Sequence, residues 1–320
     1  MKIFITSVGR RVELVQAFKA AAEKLNINLE IFGGDAGDLA PALYFCDHKV
    51  KTPRIKSGDY IPFLKAFCSE NEIDALIPTI DTDLLLLSQN RDDFSGTKVL
   101  IAAPEKVALC RDEILIRDKR LTADYFNSLG LLSPKPVDNI NDYTGGFPAF
   151  IKPKDGSSSI FAYKADNETE LKGFAAQVPD YIIQPFIEGT EYTIDAFCDY
   201  EGNPILITPR IRLATRSGEV LITQIAQDEK ITQEFKSLLL DFKPRGQITV
   251  QLIREKETGK DWYIEINPRF GGGAPLSIKA GADSCEMLLR MLSGEKLSYI
   301  ENAAEDGAIF SRFDQSIRIK

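Results

Sequence analysis

The sequence predicts two kinds of fold in succession: a parallel α/β domain of the Rossmann-like type, then a mixed α+β region. Over the first hundred residues, short apolar segments alternate with segments of helical periodicity, the pattern of a parallel sheet with right-handed crossovers. From about Pro104 onward, antiparallel strand pairs replace that alternation. The length of 320 residues fits about two domains.

The first part begins with an apolar strand and continues as alternating elements. Strands are predicted at residues 2–8, 29–35, 73–80 and 98–104, and helices at 12–25, 60–72 and 83–90. Ligands of parallel sheets bind at the carboxyl ends of strands. The polar candidates there are Ser7, Gly9, Arg10, Asp35, Thr79 and Asp81. The first turn lacks G-x-G-x-x-G, which disfavours a dinucleotide site.

The second part begins with a helix over 105–130, interrupted near 117–118 and ending at Gly130. A loop follows over 131–147. Strands at 147–153, 160–165 and 181–187, with a helix at 168–178, then form a small α+β module. The last part comprises antiparallel strands over 191–214, a helix at 230–243, a hairpin at 247–268 and a helix at 277–295.

Composition excludes several classes of function. The net charge of −8, with pI near 5.0, is unlike that of a general nucleic-acid-binding protein. With the single histidine His48, no His-pair zinc site forms, and a Ser-His-Asp triad would have to use that residue. The five cysteines are widely spaced, which indicates reduced thiols in a cytoplasmic protein. A metal would therefore be oxygen-ligated, with Mg²⁺ favoured.

No apolar segment is long enough to cross a membrane, and the short N-terminal apolar run is expected to be a strand and not a signal peptide.

The hairpin at 247–268 carries a candidate metal site. With 256 and 260 as the closing pair of a three-residue loop, Gln251 faces Glu265, unless a bulge shifts the register by one. Glu265 and Asn267 leave the same face of their strand, and Ile264 and Ile266 point into a core. One carboxylate and two amides suit Mg²⁺ that carries nucleotide phosphates. The alternative is a solvated strand face.

The hairpin continues as P-R-F-G-G-G. Arg269 is placed to bind a phosphate bidentately. Three consecutive glycines after a buried strand are costly in backbone entropy, which predicts close approach of the backbone to a ligand.

Three further segments are candidates for phosphate, base or anion binding. Lys152 precedes the donor-rich loop Asp155–Ser159, which would cover phosphates or be a plain hairpin turn. The segment 184–187 would form an apolar slot for a base, with Glu188 and Glu191 beyond it, or a plain core element. Arg210 and Arg212 share a strand face, with Arg216 in the next turn. They would bind an anion or be solvated.

Taken together, this order of motifs resembles the ATP-grasp superfamily, and in particular the ATP-grasp module of the carbamoyl-phosphate synthase large subunit. The resemblance covers nearly the whole chain. E-I-N-P-R-F-G-G-G is its most specific motif and the serine loop a weaker one. It implies a Rossmann-like pre-ATP-grasp domain at 1–113, a small lobe at 114–185 and a C-terminal lobe with the Mg-ATP site at 186–320.

The resemblance also implies roles for individual residues. Lys119 and Lys152 would contact the ATP phosphates, covered by Ser157, Ser158 and Ser159. Gln184, Phe186 and Ile187 would line the adenine slot, and Glu191 would bind the ribose. Gln251, Glu265 and Asn267 would hold one or two Mg²⁺ (or Mn²⁺). Arg269, with Arg210 and Arg212, would stabilise the γ-phosphoryl group and the acyl phosphate.

The implied function is an ATP-dependent ligase that activates a small carboxylate as an acyl phosphate for attack by an amine or a thiol. Two alternatives stay open: a non-catalytic ATP-binding regulatory protein, and one half of a split carbamoyl-phosphate synthase. A homodimer is plausible, and neither a nucleic-acid nor a membrane partner is expected. The chain departs from the family pattern at Phe161, where the loop usually carries glycine.

Overall fold

Three β-sheets organise the part of the chain that a computed structural model describes, namely residues 1–108, 119–154 and 161–319. The N-terminal sheet contains β1 (Lys2–Thr6), β2 (Glu30–Asp35), β3 (His48–Lys51), β4 (Ala75–Pro78) and β5 (Lys98–Val99). Its strand order is β3-β2-β1-β4-β5, and every pairing is parallel. The predicted α/β fold of the first part is confirmed.

Helices cover both faces of this sheet: α1 (Val12–Lys24), α2 (Tyr60–Glu70), α3 (Leu84–Asn90) and, after β5, α4 (Pro104–Ala108). Successive residues of β1 point to opposite faces, as the period of a strand requires. Ile3 and Ile5 pack in the cluster that contains Phe18 of α1, whereas Phe4 packs in the cluster that contains Leu64 of α2. Strand β3 was not predicted, because only Val50 of its four residues is buried.

The second sheet is small and antiparallel. It is preceded by α5 (Lys119–Ser128) and built from β6 (Ala149–Pro153), β7 (Tyr163–Ala165) and β8 (Tyr181–Pro185), with α6 (Glu168–Ala175) packed on it. The strand order is β7-β6-β8. One face carries Ala149, Ile151 and Ile183 into a small core. The predicted strands and helix of this module are confirmed.

The predicted helix over 105–130 is observed at its two ends, as α4 and α5. Its middle, with the predicted interruption at 117–118 and the domain boundary at 113/114, lies outside the described residues. Gly130 follows α5 with φ +76°, the left-handed conformation that favours glycine after a helix.

The third sheet has six antiparallel strands: β9 (Gly189–Cys198), β10 (Pro204–Arg216), β11 (Glu219–Ile225), β12 (Gly246–Glu255), β13 (Asp261–Asn267) and β14 (Ile309–Ser311). Their order is β13-β12-β9-β10-β11-β14. Helix α7 (Glu229–Phe242) buries its apolar stripe on one face. The predicted helix at 277–295 is two helices, α8 (Ala274–Lys279) and α9 (Ser284–Leu292), which Gly281 separates at φ +113°.

The N-terminal sheet and the six-stranded sheet share an apolar core. Phe18 of α1 meets Phe270 edge-on, with ring centroids 5.9 Å apart. At the rim, Lys24 pairs with Glu286 and Lys279 with Glu13, each at 2.6 Å. This packing places the carboxyl end of β4 beside the end of β13, where the predicted site begins.

The helices and the cysteines were also subjects of prediction. Within the described ranges, no helix combines the length and the apolar character needed to cross a membrane. Cys46, Cys68, Cys198 and Cys285 are free thiols, and Cys110 lies outside the described residues.

Candidate active site

One face of the six-stranded sheet carries an ordered array of polar side chains. The other face packs on α7, so the array consists of residues that alternate with the apolar core positions. One row across four neighbouring strands is Glu265, Gln251, Thr193 and Arg210. The next row is Asn267, Thr249, Asp195 and Thr208. The predicted metal-ligand set, Gln251 with Glu265 and Asn267, therefore lies together on β12 and β13.

The register that brings Gln251 opposite Glu265 depends on a bulge. The predicted three-residue loop is wrong, because the Glu255 amide donates to the Lys260 carbonyl and leaves four residues in the turn. Ile264 bulges out between the pairs Gln251–Glu265 and Leu252–Tyr263 and restores the predicted register. Ile264 is consequently only half-buried, contrary to prediction, whereas Ile266 is 3% exposed, in the core.

Arg210 lies at the centre of a buried polar network. It is 2% exposed, and its Nε donates to Asp195 Oδ2 at 2.8 Å. Asp195 also accepts from Thr249 Oγ1 at 2.9 Å and from Ser277 Oγ at 2.7 Å. The Nη1 of Arg210 is buried and has no partner in the described part of the chain. The solvated-face interpretation of this arginine is therefore wrong.

Arg212 and Glu191 pair with each other on the same side of the sheet. Arg212 Nε lies 3.1 Å from Glu191 Oε2, and its Nη2 donates to the Gly218 carbonyl at 2.8 Å. The Arg212 side chain is 8% exposed and that of Glu191 is 54% exposed. Arg212 thus lies at the buried end of the pair, and Glu191, the predicted ribose ligand, lies at its exposed end.

Arg269 is held from the N-terminal sheet. Its Nε and Nη2 donate to the two carboxylate oxygens of Asp81, at 2.6 and 3.0 Å. Its Nη2 also lies 3.4 Å from Asn267 Oδ1. Burial acts to lower the pKa of Arg269, but the carboxylates of Asp81, Glu265 and Asp83 together raise it. Arg269 is thereby fixed next to the predicted metal-ligand set, with much of its donor capacity already used.

The glycine run, residues 271–273, packs closely against side chains of other segments. A Cβ on Gly271 would come 3.0 Å from Thr249 Oγ1, one on Gly272 2.8 Å from Arg11 Nη1, and one on Gly273 2.5 Å from Arg210 Nη2. The close approach that the sequence predicted is therefore made to side chains of the chain itself. Sequence reasoning missed Arg11, because Arg10 and Arg11 are equivalent in the pattern.

The first βα turn separates these two neighbouring arginines. Arg10 extends into solvent and lies 3.7 Å from Asp314, with its side chain 78% exposed. Arg11 turns inward, and its Nη2 donates to the Thr79 carbonyl at 3.2 Å. The candidate at this turn is thus Arg11, and Arg10 is corrected to a surface residue.

Lys119 and Lys152 lie close together at the small sheet. Lys119 Nζ donates to the Pro153 carbonyl at 3.0 Å. Burial and the nearby positive charge of Lys119 lower the pKa of Lys152 to about 7, and Glu265 acts in the opposite direction. Glu265 therefore lies close enough to Lys152 for the two charges to interact.

The predicted adenine slot lies on the face of the small sheet that carries Lys152. Gln184 is 7% exposed, and its amide donates to the Pro134 carbonyl at 2.6 Å. Phe186 follows β8, and its ring centroid lies 6.2 Å from that of Phe150. Phe150 was not predicted, although its alternation with Ile151 on β6 places it beside Lys152. Ile187 leads from this slot into β9.

Ser157, Ser158 and Ser159 lie outside the described residues, as do Asp155 and Gly156. Just after them, Phe161 has φ +57°, a conformation that favours glycine.

The donor set fits a magnesium nucleotide on two observations. Arg210 Nη1 and Thr193 Oγ1 are buried polar atoms without partners in the described ranges, on the face that also carries Glu265 and Gln251. Hard oxygen donors lie beside a group of cations, which is the chemistry that Mg²⁺ and phosphate oxygens require. The described residues contain no cluster of three or more His, Cys, Asp or Glu side chains arranged to hold a metal.

Two family profiles match the chain in succession. Residues 3–101 match the PylC-like N-terminal domain, and residues 116–273 match the ATP-grasp domain. The superfamily to which the sequence motifs pointed is thereby confirmed, and the second match spans the segment from α5 to the glycine run.

Curated relatives of low identity include two kinds of amino acid ligase. The 3-methyl-D-ornithine--L-lysine ligase of Methanosarcina acetivorans is 23% identical over 238 residues, 73% of this chain and 60% of that protein. The D-alanine--D-alanine ligase of a Marinomonas species is 26% identical over 181 residues, 49% of this chain and 56% of that protein. The chain thus spans less than two thirds of the length of these relatives.

Solved structures share the fold over nearly the whole chain. The L-amino acid ligase from Bacillus licheniformis superposes with a TM-score of 0.68 at 19% identity, covering 91% of this chain and 74% of that one. The biotin carboxylase domain of 2-oxoglutarate carboxylase from Hydrogenobacter thermophilus, solved with MgADP, ADP and bicarbonate, gives 0.70 at 15% identity, covering 96% and 73%. The predicted order of an N-terminal domain and an ATP-grasp fold is confirmed.

Proposed function

The chain belongs to the ATP-grasp superfamily, and on that premise we propose that it is an ATP-dependent ligase. It would activate the carboxylate of a small molecule as an acyl phosphate, for attack by an amine. The observation that carries this proposal is a group of cations beside oxygen donors. Lys152 lies near enough to Lys119 and Glu265 to be influenced by both charges. Glu265 shares one sheet face with Gln251 and with Arg210, whose Nη1 is buried without a partner in the described ranges.

ATP and Mg²⁺ would supply the transferable phosphoryl group and its charge neutralisation. For the chain's own residues we propose the roles that the sequence motifs imply. Phe186 and Ile187, with Gln184, would line the base, and Glu191 would take the ribose hydroxyls. Lys119 and Lys152 would bind the phosphates, as would Ser157, Ser158 and Ser159. Gln251, Glu265 and Asn267 would provide the oxygen ligands of the metal.

The reaction needs no covalent intermediate on the protein. A carboxylate oxygen of the substrate attacks the γ-phosphorus, and the bond to ADP breaks. The amine, having lost a proton to solvent, then attacks the acyl carbon, and inorganic phosphate leaves. Arg210, Arg212 and Arg269 would stabilise the charge that develops on the transferring group, which is the main contribution a protein makes to phosphoryl transfer.

The small sheet would act as a cover in this scheme. It carries Lys152 and the predicted adenine slot, and its core is separate from those of the other two sheets. Its closure over the nucleotide would exclude water, which otherwise hydrolyses an acyl phosphate.

The names of the relatives suggest where a substrate search should begin. Two of them join amino acids, and one solved structure of the same fold is an L-amino acid ligase. We therefore propose small carboxylates, amino acids first among them, as the acid, and amino groups as the acceptor.

The experiment is phosphate release from MgATP, with and without L-lysine, D-ornithine, D-alanine, pooled amino acids and small carboxylates. We expect release that one acid stimulates. Glu265→Gln should reduce it by at least about 100-fold, since a metal oxygen ligand becomes a neutral amide. The matched control is Glu257→Gln, at an exposed position of the same hairpin's turn, which should retain wild-type release.

The alternatives give different results in the same assay. A non-catalytic ATP-binding protein would bind MgATP without release in any pool. Half of a split carbamoyl-phosphate synthase would release phosphate with bicarbonate only after a second module is added. Gel filtration of the same preparation tests the predicted homodimer.

A further inference from the structure

Arginines crowd around the glycine run, and almost all of them are neutralised by a carboxylate of the chain. The pairs are Arg210 with Asp195 at 2.8 Å, Arg212 with Glu191 at 3.1 Å, Arg269 with Asp81 at 2.6 Å and Arg312 with Glu219 at 3.6 Å. Arg11 differs from them. It makes no ion pair within 4.0 Å with any carboxylate of residues 1–108, 119–154 and 161–319.

The guanidinium of Arg11 is fixed in place nevertheless. Its Nη2 donates to the Thr79 carbonyl at 3.2 Å, at the carboxyl end of the N-terminal sheet. Its Nη1 lies 2.8 Å from the position that a Cβ on Gly272 would take, so it rests on the glycine turn. A side chain held at both ends and lacking a counter-ion is a preorganised anion-binding group.

A second spare donor lies on the same turn. Arg210 Nη2 is 2.5 Å from the Cβ position of Gly273, the next residue, and Arg210 Nη1 is buried without a partner. Two guanidinium groups, one from the N-terminal domain and one from β10, thus rest on successive residues of one turn. Such a pair is matched by an oxyanion with two or more acceptor oxygens and would repel an amine.

Charge around Arg11 agrees with this assignment. Burial and the positive charge of Arg269 lower the pKa of Arg11 to about 10, although Glu219 and Asp81, which pair with Arg312 and Arg269, act to raise it. The guanidinium therefore stays protonated at neutral pH. A bound anion would reduce the repulsion between Arg11 and Arg269 and would give Arg11 a counter-ion.

We propose that Arg11 is a substrate-binding residue and that, with Arg210, it forms an oxyanion subsite for the carboxylate of the acid substrate, or the acyl group derived from it. This inference rests on the proposed ligase function and deepens it, because it assigns recognition of the acid to the N-terminal domain. The substrate class is a small carboxylic acid presented at the glycine turn beside the phosphoryl-transfer residues.

The test uses inorganic phosphate as the probe of the oxyanion subsite. Calorimetric titrations of the full chain are made with phosphate, both without nucleotide and with saturating MgADP. The variants are Arg11→Met, Arg11→Lys and the matched control Arg10→Met, which removes the same charge one residue away on the surface. Thermal unfolding of each variant verifies that it is folded.

We expect wild-type protein to bind phosphate with a Kd on the order of a few mM or tighter. Arg11→Met should weaken binding about tenfold or more, Arg11→Lys less because the charge remains, and Arg10→Met less than about twofold. Equal affinities of wild type and Arg11→Met, or no binding to wild type, would overturn the proposal.

The kinetic readout separates binding from a structural role. With an acid that stimulates phosphate release, Arg11→Met should raise the KM for that acid about tenfold and leave the KM for MgATP within about twofold. A parallel rise of both constants would overturn the assignment. The MgADP titration tests the proposed function separately. If wild-type protein binds phosphate but does not bind MgADP, the ligase function is refuted and the oxyanion subsite is not.

Discussion

The amino group of Lys152 experiences opposing electrostatic influences. Burial and the charge of Lys119 disfavour its protonated form, and Glu265 favours it, with the result that its pKa falls to about 7. A polyphosphate placed between the two lysines would add several negative charges and restore the protonated form. Binding of a nucleotide should therefore be coupled to uptake of a proton.

The prediction is that ADP with Mg²⁺, bound at pH 8, takes up close to one proton per chain, since a group of pKa about 7 is about nine-tenths neutral at that pH. Calorimetry in two buffers of different ionisation enthalpy measures the uptake directly. Lys152→Met should abolish it. Identical binding enthalpies in both buffers for wild type would refute the coupling.

Gly273 permits the buried position of Arg210. Its φ is −96°, so alanine meets no backbone strain there, but the Cβ would come 2.5 Å from Arg210 Nη2. Gly273→Ala should displace the guanidinium and lower the free energy of unfolding by about 1–3 kcal/mol, the usual cost of overpacking. The measurement is the urea midpoint of unfolding.

Gly58→Ala is the matched control for that substitution. Gly58 is exposed, has no heavy atom within 4 Å of its Cβ position, and does not have a positive φ. Alanine there should leave the midpoint unchanged or raise it slightly, because it restricts the unfolded chain. A midpoint of Gly273→Ala equal to that of Gly58→Ala would mean that Arg210 moves without cost.

Neighbouring residues show how far the sequence could predict the site. The metal-ligand candidates Gln251, Glu265 and Asn267 follow from strand periodicity, which is a local property. Asp195 and Arg11 do not, because their roles depend on contacts between distant segments: Asp195 with Ser277 at 2.7 Å, and Arg11 with the glycine turn. A buried aspartate within the apolar strand T-I-D-A was the available signal for the first, and none distinguished Arg11 from Arg10.

At the scale of elements, the hairpin of β12 and β13 shows why correct pairing can follow from an incorrect loop. The turn is one residue longer than predicted, which shifts the register by one. The bulge at Ile264 of β13 reverses that shift. Alternation predicts which side chains share a face, whereas bulge position depends on packing that a short pattern does not encode. Strands β3, β11 and β14 were not predicted. The few residues of β3 and β14 are largely exposed, so they lack a clear apolar alternation.

Asp83 joins three elements of the N-terminal domain. It directly precedes α3, is fully buried, and accepts from Thr6 Oγ1 of β1 at 3.1 Å and from Tyr60 of α2 at 2.8 Å. Its other oxygen has no partner among the described residues. Burial raises the pKa of Asp83 to about 6, although both hydroxyl donors act to lower it.

The raised pKa predicts a specific pH dependence of stability. The pKa of Asp83 is higher in the folded state than in the unfolded state. Below about pH 4 the carboxyl is largely protonated in both states and does not lower the free energy of unfolding. As pH rises through 6, its ionisation lowers the free energy of unfolding. Asp83→Asn cannot ionise, so its stability relative to wild type should increase by about 2 kcal/mol between pH 4 and pH 7.

Urea unfolding of both proteins at several pH values measures this difference. Asp38→Asn, which removes a carboxyl at an exposed loop position, is the control, and the pH dependence of the Asp83→Asn difference should exceed that of Asp38→Asn. A pH dependence for Asp83→Asn no larger than that of Asp38→Asn would show that Asp83 ionises in the folded protein without cost.

At the scale of the whole molecule, the three sheets are not equally supported. The N-terminal sheet and the six-stranded sheet contribute to common apolar clusters, in which Phe18 packs with Phe270 and Leu288. The small sheet has a separate core of Ala149, Ile151, Ala165, Leu171 and Ile183. Fewer buried apolar side chains mean a lower free energy of local opening. The two large sheets should therefore behave as one stable body, and the small sheet as the part that opens.

This difference predicts how hydrogen exchange responds to a nucleotide. Without ligand, amides of β6 and β8 should exchange faster than those of β1 and β9. A nucleotide held between Lys152 and the large sheet would bind only the closed arrangement, so opening must now include the cost of releasing it. Saturating MgADP, at about 100 times its Kd, should slow exchange in β6 and β8 by up to about 100-fold, while β1 and β9 still exchange more slowly than either. In Lys152→Met, which removes the proposed phosphate contact, the same MgADP concentration should protect β6 and β8 much less. If β6 and β8 exchange as slowly as β1 and β9 without ligand, the small sheet is not a separate cover, and access to the site arises from motion of the whole molecule.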